Sequence, residues 1–99
     1  MNIKKISAYL GFAIKSGKII FGYDNLFVSK KNPILVLISS DLSAKMSQKV
    51  IDYCNNKQIA YRELDIPLGE IISRENCKVL AILDKGLTDA IMNEMEIEK

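Results

Sequence analysis

Two runs in this chain, Ile34–Ile38 (ILVLI) and Val79–Leu83 (VLAIL), contain no polar residue. A strand with one wet face alternates apolar and polar side chains, so an unbroken apolar run of this length fits a strand covered on both faces. Helices must then lie on both sides of the sheet, and the periodicity of the remaining segments predicts them. Ile3, Ile6, Leu10 and Ile14 recur at spacings of three and four. They predict a helix through residue 15, stopped by Ser16 and Gly17. Residues 19–21 predict a short strand, Gly22 breaks the chain, and Tyr23, Leu26 and Phe27 predict a helix over 23–31, ended by Asn32 and Pro33. Residues 39–43 supply turn and capping groups for a helix over 43–57, whose buried stripe is Met46, Val50 and Cys54. Residues 60–64 read as a strand, 66–72 as a short helix entered through Pro67, and 73–77 as a polar loop. Leu87, Ala90, Ile91 and Met95 mark a closing helix with Asp84 at its cap. Short connections between alternating helices and strands predict an α/β chain, a three-layer α/β/α sandwich on a mixed sheet of about four strands. At 99 residues one domain, 1–99, is expected to carry the function.

The composition narrows the chemistry. No apolar run approaches the roughly 18 to 20 residues needed to cross a bilayer, so no membrane association is expected. Residues 1–5 are basic, but Ser7, Tyr9 and Lys15 interrupt the apolar stretch after them and no small-residue cleavage pattern appears, which predicts a cytoplasmic protein. Cys54 and Cys77 have neither the density of a disulfide scaffold nor the spacing of a zinc site, and there is no histidine. Both are expected to be small buried hydrophobes. Without histidine the commonest general base and metal ligand is missing, so neither catalysis, nor a cofactor, nor a metal is expected.

The net charge of +2 hides an asymmetry. Residues 1–49 carry eight lysines against Asp24 and Asp41, a balance of +6, whereas residues 50–99 carry six bases against ten acids, a balance of −4. Gathered on one side of a fold, the lysines would attract phosphate. Scattered, they would be an ordinary solvated surface.

Three motifs bear on ligands. The stretch from Gly11 to Ile19 superficially suggests a phosphate-binding loop. Five residues instead of four separate its glycines, Ile19 stands where Ser or Thr must hold magnesium, and it follows a helix instead of a strand. Nucleotide binding through it is rejected. Gly22-Tyr23-Asp24-Asn25 opens a helix, where unpaired amides suit an anion, although Asp and Asn at such a place more often cap the helix. Asp84-Lys85-Gly86 reads most simply as a strand-to-helix turn.

Taken together, Leu10-Gly11-Phe12-Ala13, Ser16-Gly17-Lys18, Gly22, the apolar strand before Ser40-Asp41, Cys54, Leu68-Gly69 and Asp84-Lys85-Gly86 resemble, in order and spacing, the kink-turn-binding ribosomal protein L-seven-Ae family, especially its bacterial YlxQ-type members. The resemblance covers nearly the whole chain. It implies an α/β/α sandwich and non-catalytic binding of kink-turn or related structured RNA, ribosomal RNA included; no DNA is expected. Its Gly-x-Asn-Glu reading head falls on Gly22, Tyr23, Asp24 and Asn25, with Asp24 accepting from a base amino group and Asn25 donating and accepting. Lys18, Lys30 and Lys31 are expected to position phosphates beside it. The second RNA-contacting loop falls on Leu68, Gly69, Ser73, Arg74 and Asn76, where Arg74 is able to grip a phosphate or stack on an unpaired base.

Two positions depart from the family pattern. Val28 stands where the family has a lysine, and Ser73-Arg74-Glu75-Asn76 replaces apolar loop residues. A competing expectation rests on these departures: a protein-interaction module on the same fold whose RNA site has degenerated.

Overall fold

A computed structural model of the chain describes residues 2–74 and 76–96. In order, the elements are α1 (Ile3–Lys15), β1 (Ile19–Phe21), α2 (Tyr23–Val28), β2 (Leu35–Ile38), α3 (Ala44–Lys57), β3 (Ala60–Glu63), α4 (Leu68–Ile72), β4 (Val79–Ile82) and α5 (Lys85–Glu96). Every segment expected from periodicity is present. The largest difference is in α2, which ends at Val28 instead of Lys31. Ser29 turns to an extended conformation (ψ 138°), and its hydroxyl accepts from the Lys31 amide at 3.1 Å, a local bond that competes with another helical turn.

The strands form one mixed sheet in the order β1-β4-β2-β3. β2 and β3 are parallel, joined by the α3 crossover that a parallel pair requires, and the other two pairings are antiparallel. All eight residues of β2 and β4 are buried. Their side chains alternate between two cores. Leu35, Leu37, Leu80 and Ile82 pack with Ile6 and Leu10 of α1, Leu68 and Ile71 of α4 and Ile91 of α5. Val36, Ile38, Val79 and Ala81 pack on the other face with Leu26 of α2 and Val50 and Cys54 of α3. Helices therefore cover both faces of the sheet, and at ~1.5–3 kcal/mol for each large aliphatic side chain buried, these two cores dominate the folding free energy.

Polar groups fasten the ends of the layers. Ser43 caps α3 by accepting from the Met46 amide at 3.2 Å, and Asp84 caps α5 by accepting from Leu87 at 2.8 Å, both as expected. Ser39 makes the turn before α3 as expected, its carbonyl accepting from the Leu42 amide at 3.3 Å, and it serves α4 as well. Its buried hydroxyl accepts from the Leu68 amide at 2.8 Å and donates to the Asp41 carboxylate. The other Asp41 oxygen holds the Lys78 ammonium at 2.5 Å, just before β4. One serine thus links the end of β2, the start of α4 and the entry to β4.

The Lys78 ammonium, and after it the Ser39 hydroxyl, hold the Asp41 carboxyl below its ordinary range. A carboxyl whose folded-state pKa is lowered stabilises the fold fully above its unfolded value of about 4, and this contribution is lost as the pH falls through the folded value. In urea denaturation the stability gap between wild type and Asp41→Asn should therefore be constant from neutral pH down to about 5 and should close in stronger acid. A gap that widens in acid would contradict this linkage.

Candidate nucleic-acid interface

β1 is an edge strand, and α2 folds back beside it. The turn between them is made by Gly22, at φ 80° and ψ 154°, a region essentially closed to other residues. Its amide donates to the Val79 carbonyl at 2.8 Å, and its carbonyl accepts from Leu26 at 3.1 Å. Nothing lies within 4 Å of where a Cβ would stand, so the space in front of the turn is open.

The capping role considered for Asp24 and Asn25 is not what the structure contains. α2 begins at Tyr23, with Gly22 in the cap position and no side-chain cap, so Asp24 and Asn25 already lie inside the first turn. A capping acceptor must sit at position 22, two residues before Asp24 and three before Asn25. Asn25 donates back from Nδ2 to the Phe21 carbonyl at 2.8 Å. That bond occupies one amide proton and holds the side chain at the strand edge, leaving Oδ1 as an outward acceptor. Asp24 is exposed.

Beyond α2, Lys30 and Lys31 line a shallow depression of about 490 Å³ with Ile19, Ile20, Phe21, Asn25 and Ser29. Phe21 also borders a second depression of about 340 Å³, formed with Gly22, Arg74, Asn76 and Cys77. The two share Phe21 in their lining. Lysines, the Asn25 amide, the open glycine turn and Arg74 therefore lie along one edge of the molecule, although residues 22 and 74 are far apart in sequence.

Arg74 is exposed, with its guanidinium carbon 4.4 Å from the centre of the Phe21 ring. Its backbone is tied at both sides, the amide donating to Gly69 at 3.0 Å and the carbonyl accepting from Cys77 at 3.1 Å. Ser73, in the left-handed region at φ 57°, ends α4 and turns the chain toward Phe21.

The remaining expected contacts separate from this edge. Leu68 is completely buried in the core, so its side chain supports the loop and cannot touch a ligand. Gly69 and Ser73 line another depression, of about 740 Å³, with Asp41, Pro67 and Glu70. Lys18 is exposed at the start of β1, the length of the strand from Gly22, and lines neither depression of the edge. Glu75 lies outside the described residues. Phe21 is the site residue that sequence reasoning missed, since nothing local to residue 21 marks a pairing with residue 74.

The cysteines stay protonated at neutral pH. Burial pushes the Cys54 thiol up to about 11, and burial likewise raises Cys77, which also donates weakly to the Val79 carbonyl at 3.4 Å. A thiol held in this form is a poor nucleophile. Among the described residues no group of three or more His, Cys, Asp or Glu side chains is placed to hold a metal ion, and no helix is long and apolar enough to cross a membrane.

The family described as Ribosomal protein L7Ae/L30e/S12e/Gadd45 matches residues 4–91. The chain belongs to this family. No curated protein matches the chain. A solved structure, titled as that of a protein with unknown function from Bacillus halodurans C, superposes with a TM-score of 0.77 at 24% identity, covering 90% of this chain and 94% of that one. This likeness independently supports the fold. Membership of the L7Ae family points to RNA as the ligand class.

Because open space surrounds Gly22, replacing it by alanine imposes a backbone cost and no collision. Gly22→Ala should lower stability by about 1–3 kcal/mol, read as a shift in denaturation midpoint without a change in slope. A midpoint within error of wild type would mean that the turn tolerates a side chain.

Proposed function

We propose that residues 1–99 form a single non-catalytic RNA-binding domain that acts in the cytoplasm on kink-turn-like or other structured RNA, in association with the ribosome. The observation that carries this reading is the placement of Lys30 and Lys31 beside Asn25, Gly22 and Arg74 on one edge of a chain of the L7Ae family. The division of labour follows from the chemistry. Lysines meet phosphates as mobile point charges and set affinity, while Asp24 and the outward oxygen of Asn25 accept from base amino groups and set preference. Gly22 lets the RNA approach the turn without a side chain in the way. Lys18, at the far end of β1, extends the positive field along the same strand.

The competing reading, a protein-interaction module, draws on Val28, 77% exposed at the end of α2 where a cation would serve RNA better, and on Phe12, 68% exposed on α1. Lone exposed apolar residues are ordinary, and Phe12, on α1, lines neither depression of the β1 edge. RNA is therefore the better-supported ligand.

Filter binding to a kink-turn hairpin across a salt series tests the reading. The Lys30→Glu/Lys31→Glu protein should bind kink-turn and plain duplex more weakly by similar factors, and the slope of log affinity against log salt should fall by about one unit or less per lost contact. An unchanged slope would place the phosphate contacts elsewhere.

Asn25→Ala should instead reduce the preference for the kink-turn over the duplex, by about 1–3 kcal/mol if the contact is well formed. A mutant that keeps the full preference and loses only thermal stability would make Asn25 a brace for the strand edge.

A further inference from the structure

We infer that the outer face of α1 docks an acidic helix of a partner protein, on a surface separate from the β1 edge. The inference does not depend on the RNA reading, since no residue of α1 lines either depression of that edge.

The helix has two sides with different work. Ile6, Leu10 and Ala13 are completely buried and cover the sheet. At about 100° per residue, Lys4, Ala8, Gly11 and Lys15 fall together on the opposite side with Phe12 next to them, and all five are exposed. Ala8, Gly11, Phe12 and Lys15 line a depression of about 240 Å³.

Gly11 is the informative residue. Glycine inside a helix costs stability, and it is useful there when φ is positive or when something must come close to the backbone. Neither need arises within this chain, because Gly11 is not among the positive-φ glycines and nothing lies within 4 Å of where its Cβ would stand. The close approach it permits is open only to another molecule. Phe12 alone, 68% exposed, would be ordinary. Beside a small-residue seat and between two cations, it has the placement of an interface anchor inside a charged rim.

The charges select the partner. α1 holds three lysines and no acid. Lys5 leans toward Glu94 at 3.9 Å, whereas among the described residues Lys4 and Lys15 make no ion pair. A second copy laid antiparallel, α1 on α1, would set Lys4 against Lys15 and be repelled. Carboxylates answer both. Lys4 and Lys15 are about 16 Å apart along the axis, so they match acids about three turns apart on another helix. Small apolar side chains between those acids would let the two axes close over Ala8 and Gly11.

The test titrates the full chain with a helix-stapled peptide bearing leucine and alanine on one face and glutamates three turns apart beside it, and with a twin carrying lysines in their place. The acidic peptide should shift the backbone amide resonances of Ala8 to Lys15, and the basic twin should not. Phe12→Ala should weaken binding about tenfold. Lys4→Glu/Lys15→Glu should reverse the preference between the twins. Gly11→Leu should raise the melting temperature, leucine being the better helix former, and yet abolish docking, which a loss of fold could not explain. Phe12→Ala and Gly11→Leu should leave affinity for a kink-turn hairpin unchanged. If both twins bind alike, if the acidic peptide leaves those amides unmoved, or if Gly11→Leu binds as wild type, the docking face is overturned. If the hairpin shifts Ala8 to Lys15 and the acidic peptide does not, the face belongs to RNA and the inference falls. If the acidic peptide docks while no RNA binds, the inference stands and the RNA reading falls.

Discussion

Burial of β2 and β4 on both faces is the constraint from which the rest of this molecule follows. Eight consecutive-in-space apolar residues cannot be left half wet, so two helical layers must close over them, and once they do, the sheet has only its edges left to offer a ligand. β1 and β3 are those edges. β3 is tied to the central strands through the α3 crossover. β1, only three residues long, is bounded by a glycine turn and by the short α2, and it leaves room for a shallow, partly polar surface. The candidate interface is thus a consequence of which strands the core claims.

The layers were legible because their signals are local and repetitive. The spacing of Ile3, Ile6, Leu10 and Ile14 along α1, and the unbroken apolar runs of β2 and β4, mean the same thing in nearly any context. What failed to show in the sequence was decided by atoms distant along the chain or by local competition too fine for pattern reading. Ser39 looks like one more turn residue before α3, and only the packed sheet shows that its hydroxyl serves the Leu68 amide. The end of α2 depended on whether the Ser29 hydroxyl or another helical turn would take the neighbouring amide, and the serine prevailed. The contact of Arg74 with the Phe21 ring joins the loop before β4 to the end of the neighbouring β1, residues far apart in sequence, where no periodicity reaches.

Charge counting overstated the site for a related reason. The first 49 residues carry an excess of +6, but sequence neighbours are not always spatial neighbours. Lys45 and Lys49 belong to α3, which packs against β3 at the opposite edge of the sheet. Only Lys18, Lys30 and Lys31 flank β1 or the end of α2, and of these only Lys30 and Lys31 share a depression with Asn25. A field of two or three lysines supports positioning of a few phosphates.

The same edge also bears on the choice between RNA and a protein partner. An unpaired strand edge invites another strand to add to the sheet, the simplest way for such a surface to bind protein. The Gly22 amide pairs with Val79 and the Lys18 carbonyl with Leu83, so Lys18 and Gly22 turn their ladder groups toward β4, while Phe21 turns its carbonyl outward. That outward carbonyl is already taken by the Asn25 amide. The strand is short, one of its outward acceptors is filled by the chain itself, and cationic residues lie at its margin, each a known way of discouraging strand addition. A protein strand would have to displace Asn25 and crowd Lys30 and Lys31. RNA would face no such conflict, since phosphates and bases can meet the edge without adding a strand to the sheet.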